Sequence, residues 1–351
     1  MESIYYVLCW ACHRRCDHCY EDRFRPYVRD ALEAVVREAE ENAPRIIAHL
    51  PDSMLYRDLG DVDEAGAPRV KMGRIILAGG DVLVDPVRER VLYPTLRRLR
   101  ARYAATGGVR LVVQTTGDLV TEPILRELLD AGMDHLSVSG LDDFHVGMQG
   151  GRKETLKDSL TALFEGLGMI AGSAAVGDGR PSFGFFGATP ESWIGKIWPR
   201  GRAWQNGLST ATLADNFCGQ WSGGIGFLRQ GWAGAEVAVE PDGRVYPCCM
   251  KTRKAIGNLL DEPLAEILDS LAGHPAFESI SAGRPERMGL AAGWSIDRYL
   301  EACETTTPTG QPYRNLCIGC DRFHEEVLGP VIDRIAEERR ARRHLAAQPR
   351  E

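Results

Sequence analysis

Cys12, Cys16 and Cys19 fall in the run Cys12-His13-Arg14-Arg15-Cys16-Asp17-His18-Cys19-Tyr20, a C-x3-C-x2-C spacing just after the apolar stretch 4–8. Three thiolates this close can hold three irons of a [4Fe–4S] cube. Such cubes are normally held by four cysteines, so one iron is left open to another ligand. In zinc proteins an open coordination position marks a catalytic metal and a closed one a structural metal, and the same logic applies here. A zinc knuckle completed by His13 or His18 is the competing reading, but zinc motifs usually come as two cysteine pairs or a cysteine pair with a histidine pair.

A second set of cysteines lies far downstream. Cys248 ends a G-x4-C run from Gly243 with Cys249 beside it, Cys317 and Cys320 form a C-x2-C, and Cys218 and Cys303 stand singly. Ten cysteines in a chain without a basic, cleavable N-terminal start point to metal rather than disulfides and to a cytoplasmic location. Cys9, on the first strand, is expected to be a small buried residue.

These residues need a scaffold. The chain has 351 residues, 44% of them apolar, enough for one large α/β domain and a smaller one. No run of 18 apolar residues occurs, so no membrane span is expected. A net charge of −7 argues against nucleic acid as a partner, because phosphate binding needs a basic surface. It is compatible with a cationic substrate. Short apolar strands at 4–8, 74–78, 110–113, 135–139 and 182–186 alternate with helical periodicity at 30–42, 87–103, 121–132 and 154–167, which predicts a parallel sheet with helices outside it. Residues 51–73, rich in Asp, Gly and Pro, read as an inserted surface loop. Past residue 201 the rhythm stops, and Pro241-Asp242-Gly243 between two apolar segments signals a hairpin. The Arg/Glu-rich end reads as a solvated helix.

The N-terminal motif resembles that of the radical S-adenosylmethionine (SAM) enzymes. The resemblance implies a partial (β/α)6 TIM-like barrel over residues 1–205, with SAM chelated to the open iron held by Cys12, Cys16 and Cys19. Gly79-Gly80-Asp81-Val82, after the second predicted strand, is similar to the family's Gly-Gly-Glu-Pro motif for the SAM ammonium. Thr115, Thr116, Ser137 and Ser139 end strands at the barrel mouth, where active sites of such barrels lie, and in the family such positions bind the SAM ribose and carboxylate. His18 joins them as a cofactor-binding residue. Residues 198–203, Trp-Pro-Arg-Gly-Arg-Ala, resemble a Gly-Arg-Ala element of one radical SAM subgroup.

The downstream cysteines resemble the Twitch domain, the short form of the SPASM domain, expected here over residues 206–325 with a charged helix at 326–351. That resemblance implies a second, auxiliary [4Fe–4S] cluster on Cys218, Cys248, Cys317 and Cys320, with Cys303 the substitute for Cys218 and a structural zinc in the same cage as the alternative. Cys249 is then left over. The resemblance extends to radical SAM epimerases of aminoglycoside biosynthesis. There SAM yields a 5′-deoxyadenosyl radical that takes a hydrogen atom from a sugar carbon, and a spare thiol returns one to the opposite face, the role implied for Cys249. The expected partners are a cationic aminoglycoside and an external one-electron reductant of the flavodoxin or ferredoxin type. Asp142, Asp143, Glu191 and Glu240 are candidates to grip the amines. A Twitch-type dehydrogenase oxidising an alcohol is the alternative, since it needs no spare thiol. A peptide-modifying enzyme would usually carry an N-terminal recognition domain, for which the position of Cys12 leaves no room.

Overall fold

The structure is a computed structural model that describes residues 1–173, 179–186, 196–220 and 222–346. In chain order its main strands are β1 (Ser3–Val7), β2 (Leu55–Val62), β3 (Pro68–Met72), β4 (Arg74–Ala78), β5 (Arg110–Thr115), β6 (His135–Val138), β7 (Ile170–Ala171), β8 (Ser182–Phe185), β9 (Glu236–Val239), β10 (Arg244–Tyr246) and β11 (Gly257–Asn258). Nine of these form one sheet in the order β11-β10-β9-β1-β4-β5-β6-β8-β7. From β9 through β1 to β8 and β7 every pairing is parallel. The chain is thus mixed α/β with a parallel sheet, as its alternating pattern predicts.

Alternation along each strand divides the core. Ile4, Tyr6, Ile75, Leu77, Leu111 and Val113 pack with Val36, Ile46, Leu96 and Leu99. The last four residues belong to the helices Arg29–Ala48 and Tyr93–Tyr103. Tyr5, Val7, Ile76, Ala78, Val112 and Ala238 face the other way and pack with Cys12 and Phe24. Strands covered on both faces are buried at every position, as β1, β4, β6 and β9 are. The helix Glu122–Asp130 carries its proline in the first turn, and Gly132 follows it with φ +101°, the conformation a helix C-terminus favours in glycine.

Three expectations change. Residues 51–73 are not an irregular loop: β2 and β3 pair as an antiparallel hairpin. Its turn is fixed by Asp63, whose carboxylate accepts the N–H groups of Ala65 and Ala67, both at 2.9 Å, and composition alone hid the strands. The sheet also crosses the expected boundary at 205/206, because β9, beside β1, carries β10 and β11 with it. Finally, the C-terminal helix Gly329–Ala346 is not wholly solvated. Arg339 is buried and donates to Glu262 (2.9 Å) and to the carbonyl of Ile256 (3.0 Å). Among the described residues no helix is long and apolar enough to cross a membrane.

Candidate functional site

The N-terminal cysteines leave the C-terminal end of β1 in a loop held from several sides. Cys12 donates its N–H to Arg25 (3.0 Å). Buried Arg202 donates to the carbonyls of Cys16 (2.9 Å), Asp22 (3.0 Å) and Phe24 (2.8 Å). Gly79 and Gly80 pass directly beneath the loop. A Cβ on Gly79 would lie 2.7 Å from the carbonyl oxygen of Cys9, and one on Gly80 would lie 2.7 Å from the Cβ of Cys12. The glycines therefore serve close backbone packing here. Burial pushes the Cys12 thiol up to about 12 and the Cys19 thiol up to about 11. Thiols in such surroundings ionise only against a cation, so this donor set fits a metal cluster.

A cavity of about 600 Å³ opens beside the loop. Cys12, Cys16, Cys19 and His18 line it, as do Gly79, Gly80, Thr116, Ser137 and Ser139. Asp81 and Thr115 do not. Asp81 is fully buried and accepts from the hydroxyls of Thr115 (3.0 Å) and Thr116 (2.6 Å) and from the N–H of Leu83 (3.0 Å). Its carboxylate ties the glycine loop to the end of β5. Burial, then His145, pushes His18 down to about 4, so its ring is neutral. Its Nδ1 is buried with no partner among the described residues, as is Nη1 of Arg14. These two cavity-wall groups, with the thiols, fit a polar ligand such as SAM. The sequence reading missed Asp118, which accepts from Arg14 (2.5 Å) and lies 2.8 Å from His13 Nε2. No spacing signal links it to residues a hundred positions away.

The second thiol group is assembled from three turns. Cys218 sits in the turn Phe217–Gly219, Cys248 follows β10, and Cys317 and Cys320 occupy the first turns of the helix Leu316–Phe323. Asn315 caps that helix, its side chain accepting the N–H of Cys317 at 2.9 Å. Burial raises all four thiols, and charge from the others adds to it at three of them: Cys218 feels Cys248 and Cys317, Cys248 feels Cys317, and Cys320 feels Cys218, Cys317 and Cys248. Cys303 lies beside this group, against the helix that bears Cys317 and Cys320. It is completely buried, its thiol donates to the carbonyl of Tyr299 at 3.2 Å, and a Cβ on Gly319 would come within 2.6 Å of its sulfur. Cys9 is also buried, with its thiol 3.6 Å from the Val35 carbonyl.

Cys249 parts company with its neighbour. Its N–H donates to the carbonyl of Ser222 (3.0 Å), while Cys248 accepts from the N–H of Lys251 (3.0 Å). Ser222 and Lys251 both hold left-handed backbone, φ 62° and 61°, a conformation that side chains larger than glycine adopt rarely. Cys249 lines the cavity shared with Cys12, Cys16 and Cys19; Cys248 does not. Burial, then Cys248 and Glu236, holds the Cys249 thiol well above its ordinary range, so it keeps its hydrogen at neutral pH. Tyr5 and Tyr20, whose hydroxyls share a hydrogen bond of 3.2 Å, line the same wall.

The predicted amine-binding acids separate. Asp142 lines the cavity, but its carboxylate accepts the N–H groups of Phe144 (2.9 Å) and His145 (3.0 Å). Asp143 is exposed and pairs with Lys153 (2.8 Å). Glu240 is buried and not free for a substrate, because Arg23 (2.7 Å) and Lys251 (2.6 Å) already neutralise it. Glu191 lies outside the described residues. Lys251 also pairs with Glu21, and Arg23 donates to Glu21 at 2.8 Å while stacking 3.6 Å from the Trp10 ring centroid. Four charges thus lock the Cys249 turn to the loop after Cys19.

Residues 232–305 match the SPASM family, an iron-sulfur cluster-binding domain. The match includes Cys248, Cys249 and Cys303 and leaves Cys218, Cys317 and Cys320 outside it. No curated protein matches the chain. Among solved structures, BtrN in complex with AdoMet and 2-DOIA is 13% identical, with 85% of this chain and 92% of that one covered at a TM-score of 0.43. anSMEcpe with bound AdoMet is 12% identical, with 97% of each chain covered at 0.39. Streptococcus suis SuiB bound to precursor peptide SuiA is 10% identical, with 80% and 66% covered at 0.31. Likenesses this distant carry no functional argument.

Proposed function

We propose that this chain is a radical SAM epimerase that inverts one sugar carbon of an aminoglycoside, a reaction of the type that converts neomycin C to neomycin B. In this reading Cys12, Cys16 and Cys19 hold a [4Fe–4S] cluster with SAM on its open iron, and Cys218, Cys248, Cys317 and Cys320 hold the auxiliary cluster. One observation carries the reading. Cys249 lines the cavity of the three N-terminal thiols, while the adjacent Cys248 does not and lies with the other thiol group.

When bound, SAM on its cluster supplies hydrogen-atom abstraction from a substrate carbon. The protein does the rest. Gly79 and Gly80 keep the glycine loop tight under the cysteine loop, and Asp81 fastens it to Thr115 and Thr116. Cys249 returns a hydrogen atom from the opposite face. Its S–H bond breaks, the C–H bond forms, and the unpaired electron stays on sulfur. One electron from a flavodoxin- or ferredoxin-type donor and one proton from solvent restore the thiol. The S–H bond is weaker than the C–H bond formed, so the transfer runs downhill.

Turnover of neomycin C in deuterated water by the anaerobically reconstituted protein tests this. The expected product carries one deuterium at the inverted carbon, because only the thiol exchanges with solvent. Cys249→Ala keeps its iron and still cleaves SAM but gives no inversion. A product two hydrogens lighter than the substrate would overturn the epimerase in favour of the dehydrogenase, and native-rate inversion by Cys249→Ala would overturn the role given to Cys249.

A further inference from the structure

Arg200 stands where the four-thiol group meets the Cys249 turn. A guanidinium has five N–H donors in a fixed planar fork, and here each one has an acceptor. Nε donates to the carbonyl of Met250 (3.1 Å). Nη1 donates to the carbonyl of Pro199 (3.1 Å) and to Asp321 Oδ2 (2.8 Å). Nη2 donates to Asp321 Oδ1 (3.0 Å) and to the carbonyl of Cys317 (3.4 Å). The side chain is 14% exposed, against 33% for Asp321. It does not line the cavity, so substrate binding does not explain it. The thiols of Cys317, Cys320 and Cys248 and the carboxylate of Asp321 all favour its charged form.

We propose that Arg200 is a positioning and tuning residue of the auxiliary site. Its fork fixes Met250, and through it Cys249, against the helix bearing Cys317 and Cys320, and its charge raises the reduction potential of the cluster those cysteines hold. The inference rests on the cluster reading given above. Reduction adds negative charge to a cluster, and its potential depends on nearby charge, hydrogen bonds and exposure. A fixed cation in a low-dielectric setting stabilises the reduced form. Asp321 opposes this at Cys320, while Arg200 acts on Cys218 and Cys248 and outweighs Asp321 at Cys317. Lysine would keep the charge but cannot reproduce the planar fork, so the two roles can be separated.

The test is a potentiometric titration of the reconstituted full-length protein followed by electron paramagnetic resonance, with the N-terminal cluster as internal control. Arg200→Gln should lower the auxiliary potential and leave the other unchanged. Arg200→Lys should keep the potential but lower the yield of inverted product per SAM consumed several-fold. An iron-replete Arg200→Gln with the native potential overturns the tuning role, and native coupling in Arg200→Lys overturns the positioning role. Should Arg200→Gln not load the auxiliary site, the double variant Arg200→Gln/Asp321→Asn compared with Asp321→Asn alone decides, since loss of the cation must lower the potential between these two, and equal potentials overturn the tuning role. Wild-type protein that takes up no iron at the four cysteines defeats the cluster reading itself, which is a separate outcome.

Discussion

Lys251 closes an ion pair on Glu21 between two turns that both line the cavity: Lys251 stands two residues after Cys249, and Glu21 two residues after Cys19. With Arg23 and Glu240 they form an alternating square of charge, largely withdrawn from solvent. Removing one partner of a buried pair strands the other and typically costs about 3–5 kcal/mol. Lys251→Met should cost less, roughly 2–3 kcal/mol, because Arg23 still serves both carboxylates. Urea unfolding of the metal-free protein measures that loss. The loaded variant should cleave SAM while inverting less substrate per cleavage, and undiminished coupling would show that the square does not place Cys249.

The two thiol groups are separate, so iron should leave them separately. The reconstituted protein should hold about eight irons, two cubes' worth. Changing Cys12, Cys16 and Cys19 to Ala should halve that and abolish SAM cleavage. Changing Cys317 and Cys320 to Ala should halve it and leave the SAM-binding cluster visible by electron paramagnetic resonance. Metal analysis that finds zinc in place of iron at either group would refute that assignment.

Gly80 has no room for a side chain against the backbone of Ala11 and the Cβ of Cys12. Gly80→Ala must push the cysteine loop away from β4. The expected result is loss of the N-terminal cluster with the auxiliary cluster retained, read as about half the native iron in a protein that still unfolds cooperatively. Full iron content would show that the loop tolerates the shift.

Acid should weaken the metal-free protein from mildly acidic pH downward. Burial, then Arg110 and Arg74, pushes His135 from 6.5 down to about 3. Hydrogen bonds and charge from Arg23 and Lys251 outweigh burial and pull Glu21 from 4.5 to about 2. In both cases the unfolded chain binds the proton first. The stabilisation is therefore complete above the unfolded value and is lost as pH falls toward the folded one, from 6.5 to about 3 for His135 and from 4.5 to about 2 for Glu21. Each group adds a slope of up to about 1.4 kcal/mol per pH unit. Denaturant unfolding across this range should show His135→Gln shallower than wild type by about one proton between pH 6 and 4.5.

Much of this was legible in the residues themselves. The parallel sheet could be read because buried strands show as short continuous apolar runs, and the thiol groups because cysteine spacing is local at 12–19 and 317–320. What the sequence did not disclose is long-range. The β2–β3 hairpin was hidden by turn-like composition, although Asp63 supplies its turn. Asp81 seemed a ligand residue because it follows two glycines, yet its acceptor capacity is spent on Thr115 and Thr116. Arg339 looked like part of a solvated charge run, and only packing shows it bound to Glu262. Arg200 and Arg202 stood out in the run 198–203, but their partners, like those of Lys251, lie tens to hundreds of positions away, so no local pattern records what they hold.

The place of β1 between β4 and β9 sets the order in which the molecule can be completed during synthesis. This strand gains one neighbour when β4 arrives and the second only when Glu236–Val239 has been made. Contacts so distant in sequence form late, and until then β1 exposes an unpaired edge. The cysteine loop that continues from it lacks its Lys251 anchor over the same interval. Loading of the N-terminal thiols therefore waits until Lys251 has emerged, and ribosome-arrested chains ending at residue 230 should take up less iron there than chains ending after residue 300.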